Sequence, residues 1–385
     1  MPKVNLTRRE FLKVSGASLF LAGLPLTGFT KDKPPGTISV ILLEGGMDGL
    51  TAVPPIGDPN LLKMRKGLTP DKYLKLNSFF GLHPSFKYFG GLMAKNNASI
   101  VHATNFPYTK RSHFEGQNLM QGGGLNPFSE TSGWLGRALD LARTPGRSMS
   151  LDMPLVLRGM SRNDNDNFYP ASVKGSSDLM TQLIDSISMS YSKEGSEIFK
   201  KVSKKSTQKN SRIPRNPSSL AKFAGKAMAQ EGGPLASVIK VDQFDTHAAQ
   251  GSDEYGRHGK RLTLIDDIIA GYKEGLGDAW DRSIILTLTE FGRTVFENGT
   301  SGTEHGYGSA GLLAGGAITK SRVISDWPGL SKKEQFEQRD LMSTIDYRSV
   351  CAACIENALG LDHDLIAEKV FFNPNLPRIY NNIFS

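Results

Sequence analysis

The sequence predicts an α/β fold, a three-layer sandwich with a mostly parallel central sheet. Short apolar runs rich in β-branched residues, without two-residue alternation, recur along the chain as strands buried on both faces would. Helix-length segments separate them, which favours a parallel sheet with crossover helices. Polar residues close several of the runs, at what would be the carboxyl edge of such a sheet, where open α/β folds bind ligands.

The first run is TISVILL, from Thr37 to Leu43, closed by the turn EGGMDGL. A loop rich in Pro and Gly follows, then a helix from Pro84 to Met93. ASIVHA, from Ala98 to Ala103, reads as a second strand, after which Thr109 or Ser112 opens a helix to about Met120. Trp134 to Ala142 is a further helix, PLVLRG from Pro154 to Gly159 a further strand, and Asp164 to Tyr169 a polar loop. From about 176 to 230 the pattern is mostly helical and carries the basic run KKVSKKSTQKNSRIPR, an insertion or cap. Alternation then resumes. LASVIKVDQFDTH (Leu235 to His247) is a strand with a polar end, Tyr255 to Gly275 an amphipathic helix, SIILTLTEFGR (Ser283 to Arg293) a strand, GLLAGG (Gly311 to Gly316) a short strand, and Tyr347 to Leu359 a closing helix. No internal repeat is present.

The N-terminus is a different kind of segment. TRREFLKVSGASLFLAGLPLTGF, from Thr7 to Phe29, places Arg8 and Arg9 before Phe11, Leu12 and Lys13 and continues into a short apolar stretch. A cationic start and short apolar run make an export signal. The arginine pair points to the twin-arginine translocase, which reads it as an address. The run is short for a membrane span and is interrupted by Gly16, Gly23 and Pro25. It is either cleaved near Lys31 or kept as an anchor that holds the protein to the membrane. Residues 1–30 are therefore expected to be a signal segment and 31–385 one α/β domain with a basic insertion, located in the periplasm or otherwise outside the cytoplasm.

The formal charge of +8 over 385 residues suggests nucleic acid at first sight. Much of it lies between Lys193 and Lys226, where basic residues far outnumber Glu194 and Glu197. An exported protein seldom meets nucleic acid, so this stretch is read as a solvated arm facing anionic lipid, anionic polymer or nothing specific. The two cysteines, Cys351 and Cys354, have redox-like C-x-x-C spacing. They fall in a helical pattern in which Val350, Cys354, Ala358 and Leu361 share a face, so small core residues are the simpler reading; a local disulfide is the alternative in an oxidising compartment.

The residues that close the strands form a candidate constellation: Asp48, Ser112, His113, Asp245, His247, Glu290, Arg293, Glu304 and His305. Imidazole and carboxylate together suit zinc, manganese or iron, and carboxylates with water suit magnesium or calcium. Ser112 at a helix start is placed as a nucleophile or anion contact. Each residue also has a purely structural reading. Asp48 between glycines shapes a turn, Ser112 is an N-cap, Asp245 and His247 cap the following helix, and Glu290 pairs with Arg293. In GTEHGYG, Gly302 to Gly308, a histidine sits in a glycine cluster with much backbone freedom, a common way to present a loop ligand.

The order of motifs LLEGGMDGLTAVPP, GLHPSF, RSHFEGQNLMQGG with GWLGRAL, FDTHAAQ, LTEFGRTVFENGTSGTEHGYG and DYRSV resembles the bacterial family called domain of unknown function 1501. That family is similar, at a distance, to the alkaline phosphatase and sulfatase superfamily. The resemblance implies an alkaline-phosphatase-like sandwich with metal at the strand ends. It implies Asp48 as a metal ligand, Ser112 as the nucleophile position, Asp245 with His247 as a ligand pair and His305 as a last ligand. The chain departs from the pattern where an Asp-His pair is usual, since TEFGR leaves Glu290 alone and adds Arg293. No formylglycine signature of the sulfatase type is present.

Two functions are expected to compete. In the first, an exported hydrolase of phosphate or sulfate esters holds a divalent ion (zinc, manganese, magnesium or calcium) through Asp48, Asp245, His247, Glu290 and His305. Ser112, His113 and Arg293 then do catalytic work on an anionic substrate. In the second, a non-catalytic exported binding or assembly protein keeps the scaffold and a vestigial site.

Overall fold

In the computed structural model, residues 35–148, 153–159, 166–167 and 216–385 are described. The expected signal segment, most of the basic insertion and most of the 164–169 loop lie outside the described residues. Among the described residues no helix is long and apolar enough to cross a membrane.

Among the described residues, nine strands form one sheet with helices on both faces. Strand β1 (Thr37–Leu43) lies in its interior, wholly buried. It pairs in parallel with β7 (Ala236–Val241) on one side and β8 (Ser283–Thr289) on the other. Beyond β7 come the short parallel strands β5 (Gly146–Ser148) and β6 (Asp166–Asn167). Beyond β8 comes β9 (Ser309–Ala314), antiparallel to both its neighbours, then β4 (Ala98–Asn105), with β10 (Val323–Ile324) and β11 (Ile345–Asp346) parallel to β4. Outside this sheet, β2 (Leu74–Lys75) and β3 (Gly81–Leu82) make a small antiparallel pair. β9 runs against its neighbours, so the loop from β8 to β9 begins and ends at the sheet edge where the parallel strands finish.

The absence of alternation in the strands has a plain cause. Side chains of β1 point to opposite faces in turn, and both faces are covered. Ile38, Val40 and Leu42 enter one core, with Ile284, Leu286 and Leu288 of β8. Ile41 and Leu43 enter the other, with Ile285. Helices α1 (Gly49–Ala52), α2 (Leu61–Arg65), α3 (Lys87–Ala94), α4 (His113–Gly122), α5 (Trp134–Ala142), α6 (Pro217–Met228), α7 (Arg257–Leu276) and α8 (Tyr347–Leu359) follow in chain order. α5 and α8 pack into the first core; α3, α6 and α7 pack into the second.

One expected strand is corrected. Pro154 to Gly159 holds a single 3-10 turn at Leu155–Leu157. Its own N–H groups bond locally, Leu157 N–H to Pro154 C=O at 3.1 Å and Arg158 N–H to Leu155 C=O at 2.9 Å, and a longer-range backbone bond, Gly133 N–H to Arg158 C=O at 2.8 Å, joins it to the start of a helix and not to a strand. Pro154 has no N–H to give a neighbouring strand, and the turn buries Val156 and Leu157 against the first core.

Cys351 and Cys354 are both buried in α8 and unbridged. Burial pushes both thiols up, that of Cys354 beyond the ordinary thiol range. Because the thiolate is the reactive form, native protein is expected to give no titre with a thiolate-selective reagent at pH 8, and two equivalents in denaturant. A native titre of one or two would contradict the core assignment.

Candidate functional site

Four segments meet at the carboxyl edge of the parallel strands. The turn after β1 supplies Gly45, the segment after β7 supplies Asp245 and His247, the start of α4 supplies His113, and the β8–β9 loop supplies Glu290, Arg293, Glu304 and His305. One ligand-capable atom each from His113, Asp245 and His305 lies within 4.8 Å of the others. His305 Nε2 is 3.1 Å from Asp245 Oδ1, and His113 Nε2 is 3.4 Å from Asp245 Oδ2. His247 joins from the open side, its Nε2 2.9 Å from Asp245 Oδ1 and 3.1 Å from His305 Nε2. Phe291, fully buried, lies behind the rings of His113 and His305, with centroids 4.9 and 5.0 Å away.

Each imidazole is held from behind by an oxygen. His113 Nδ1 is 2.8 Å from Glu290 Oε1, His247 Nδ1 is 2.7 Å from Glu304 Oε2, and His305 Nδ1 is 2.9 Å from the Arg111 carbonyl. An oxygen at Nδ1 fixes the tautomer that leaves Nε2 with its lone pair toward the centre. His113 Nε2 is buried and makes no hydrogen bond among the described residues. An unpaired buried nitrogen is costly, and a cation at the centre would satisfy it. The donor set, three imidazoles and a carboxylate, matches zinc chemistry.

The electrostatics follow from these contacts. The hydrogen bond to Glu290 raises the His113 pKa, against the opposing effect of burial. Burial lowers that of His305, more than the Arg111 carbonyl raises it. Burial raises the Asp245 carboxyl, but Arg293, His247 and His113 outweigh it and hold it below the usual range.

Several expected residues take other roles. Asp48 is tied into the fold instead of the cluster. Its Oδ1 accepts from the N–H groups of Leu50 at 3.1 Å and Thr51 at 3.2 Å, capping α1. Its Oδ2 accepts from Thr51 Oγ1 at 2.8 Å, Gln250 Nε2 at 2.6 Å and the buried guanidinium of Arg65. Five donors leave this carboxylate little capacity for an ion. Glu290 is fully buried and accepts from Gly45 N–H at 2.8 Å and Gln117 Nε2 at 3.2 Å as well as facing His113. These partners occupy it and set it behind the His113 ring, outside the point where His113, Asp245 and His305 meet. Arg293 is also buried, and donates to Gly45 C=O, Thr303 C=O, Thr303 Oγ1 and Asp245 Oδ1. Its guanidinium holds Asp245 instead of an incoming anion. Ser112 stands at the N-cap of α4 without a side-chain cap bond, its own N–H bonded to the Tyr108 hydroxyl at 3.0 Å. Among the described residues its hydrogen bonds reach Tyr108 and Gly116, away from the cluster.

Glycines of the site serve close approach more than freedom. Gly45 has φ +119°, and a Cβ there would lie 2.4 Å from the Asp245 nitrogen. Gly306 has no such φ, but a Cβ would lie 2.4 Å from the Arg293 carbonyl carbon, across the bridge that pairs Arg293 with His305.

The family model described as Protein of unknown function (DUF1501) matches residues 89–353, well over half of the chain. The chain belongs to this family. The matched span contains every residue of the cluster and of its supporting layer except Gly45, Asp48 and Arg65. No curated protein matches the chain in sequence. Its structure is similar to the zinc complex of the C-terminal periplasmic domain of EcEptC from Escherichia coli, with 10% identity over 91% of this chain and 90% of that one and a TM-score of 0.45. It is also similar to a protein in the alkaline phosphatase superfamily from Vibrio parahaemolyticus, with 10% identity, 83% and 72% coverage and a TM-score of 0.36. A third likeness is to lipooligosaccharide phosphoethanolamine transferase A from Neisseria meningitidis, with 10% identity, 80% and 55% coverage and a TM-score of 0.37.

The residues missed by sequence reading are Arg65, Arg111, Gln250 and Thr303. Arg65 and Asp48 form a buried ion pair. Although burial raises the Asp48 carboxyl, Arg65 and the other donors bring it down to about 2. A folded pKa below the unfolded value of about 3.9 means that ionised Asp48 stabilises the fold above pH 4, and that this contribution fades as pH falls toward 2. Asp48→Asn is expected to cost about 3–5 kcal/mol at pH 7 by stranding Arg65, with the gap to wild type narrowing steadily below pH 4. Urea unfolding at stepped pH measures both, and a gap that does not change with pH would contradict the ion-pair account.

Proposed function

We propose that this chain is an exported, metal-dependent hydrolase of phosphate or sulfate esters, with one divalent ion held by His113, Asp245, His247 and His305. The observation that carries the reading is the set of three imidazoles, each anchored at Nδ1 by an oxygen and each presenting Nε2 toward the Asp245 carboxylate. Imidazole-rich sites favour zinc, with manganese or iron next, while magnesium and calcium prefer all-oxygen ligands. When bound, such an ion supplies Lewis-acid polarisation of a phosphoryl or sulfuryl oxygen.

The chain's own residues do the rest. Glu290, Glu304 and the Arg111 carbonyl orient the imidazoles. Arg293 fixes Asp245, which with His247 is about two-fifths exposed and forms the open side from which an ester would approach. Phe291 closes the back of the site to water. A second reading, a metal-binding scaffold without turnover, draws support from Asp48 and Arg293 being consumed by the fold. Export through the twin-arginine translocase rests on Arg8 and Arg9, with the apolar segment as an optional membrane tether.

Protein purified from cells is expected to contain close to one equivalent of zinc, manganese or iron. At a free-metal concentration one hundred times the dissociation constant, binding should add about 2.7 kcal/mol of stability, seen as a rise in melting temperature and abolished by chelator. His305→Ala and Asp245→Asn should each lose most of the rise. The metal-loaded wild type should hydrolyse at least one member of a panel of phosphate and sulfate esters, and its chelated form none. Metal binding without turnover on the panel would favour the scaffold reading. No melting shift with any divalent ion would remove both.

Replacing Arg8 and Arg9 together with lysine should strand the protein in the cytoplasm, because lysine lacks the planar guanidinium donors. Cell fractionation decides this, and wild-type amounts of the double variant outside the cytoplasm would refute the export route.

A further inference from the structure

We propose that Gln250 and Thr303 form a buried positioning relay that fixes the Asp245 carboxylate for metal, linking it through Arg293 to the Arg65–Asp48 ion pair. The proposal rests on the metal reading given above and names residues of the layer beneath the ligands.

The relay is continuous. Gln250 is fully buried, and its Nε2 donates to Asp48 Oδ2 at 2.6 Å and reaches Thr51 Oγ1 at 3.3 Å. Its Oε1 accepts from Thr246 Oγ1 at 2.8 Å and Thr303 Oγ1 at 2.9 Å. The Thr303 oxygen in turn accepts from Arg293 Nε at 3.0 Å, and Arg293 NH1 donates to Asp245 Oδ1 at 2.7 Å. The Gln250 backbone is fixed as well, its N–H on the Ser301 carbonyl at 2.9 Å and its carbonyl receiving His258 N–H at 3.1 Å.

The polarity of every link is set from one end. An ionised Asp48 only accepts, so the amide of Gln250 must present its NH2 there and its oxygen toward Thr303. Thr303 has one proton, which that oxygen takes, so a lone pair is left for Arg293. Flipping the amide would put its oxygen against the Asp48 carboxylate and take from Thr303 the acceptor for its proton. The guanidinium is planar, and holding its Nε fixes the direction of NH1. Asp245 needs that restraint, because its side chain is 40% exposed. Two buried cations and two carboxylates thus stand as separate pairs joined by neutral side chains, which carry orientation without adding charge.

Thr303→Val removes the hydroxyl and keeps the shape, while Thr303→Ser keeps the hydroxyl; Thr303→Ala does the work of the first if valine prevents folding. Zinc dissociation constants are to be measured by chelator competition on the full chain. Side-chain resonances of Arg293 and of the three histidines are to be recorded on chelated protein labelled at arginine and histidine. The valine variant is expected to bind zinc about 10–100-fold more weakly and to shift the Arg293 Nε–H and His305 resonances, with serine restoring both within about threefold of wild type. Wild-type zinc affinity in Thr303→Val, or failure of serine to restore it, overturns the relay. If wild type takes up no zinc, the metal reading has failed, and the resonances decide alone. Unmoved Arg293 and histidine signals in chelated Thr303→Val overturn the relay, and displaced signals restored by serine uphold it.

Discussion

The buried guanidinium of Arg293 is the contact on which the rest of the site depends. From the end of β8 it reaches the Gly45 carbonyl after β1, Asp245 after β7, and both the carbonyl and the hydroxyl of Thr303 in the loop that leads to β9. Three strand-end loops far apart in sequence are thereby held at one place. Four of its five donors have partners, which is what makes burial of the charge tolerable. Three residues earlier, Glu290 grips the N–H of the same Gly45 and faces the His113 ring. Gly45 thus meets an anion at its N–H and a cation at its carbonyl, and the close passage of Asp245 behind it admits no side chain at that position.

This arrangement explains the division of labour among the polar residues. Groups that are fully buried, Asp48, Arg65, Glu290 and Arg293, have all been matched to protein partners. Groups that remain partly exposed, His113, Asp245, His247 and His305, are those that converge, and among them His113 Nε2 has no hydrogen-bond partner among the described residues. The antiparallel strand β9 contributes as much as any side chain. By reversing direction it keeps the whole loop from Glu290 to Gly308 at the edge where the cluster forms, so that one loop supplies His305, the two carboxylates that face imidazoles, Glu290 and Glu304, and the Arg293 guanidinium that holds Asp245.

The layered fold was legible because it depends on local pattern. TISVILL, ASIVHA and SIILTLT are mainly apolar without two-residue alternation, and the structure buries each strand throughout. Trp134 to Ala142 is helical over the expected range, with its apolar stripe against the first core. PLVLRG looked the same by composition, and the local bonds around Pro154 made it a turn. At the site, the residue types and the strand ends were legible, and His113, Asp245, His247 and His305 do come together. What was not legible was which carboxylates would be neutralised by the chain itself. Asp48 and Asp245 each end a strand segment, yet Arg65 stands 17 residues from one and Arg293 stands 48 from the other. Gln250 and Thr303 carried no signal, since a lone amide or hydroxyl has meaning only through partners brought by the fold.

The central claim is that three imidazoles and one carboxylate surround a common point prepared for a divalent transition metal. X-ray absorption spectroscopy on the protein loaded with one equivalent of zinc tests it most directly. The account predicts a first shell of nitrogen and oxygen at about 2.0–2.1 Å with strong imidazole scattering and no sulfur, reduced by one imidazole in His113→Ala. A shell made of oxygen alone, or a spectrum unchanged by that substitution, would contradict it.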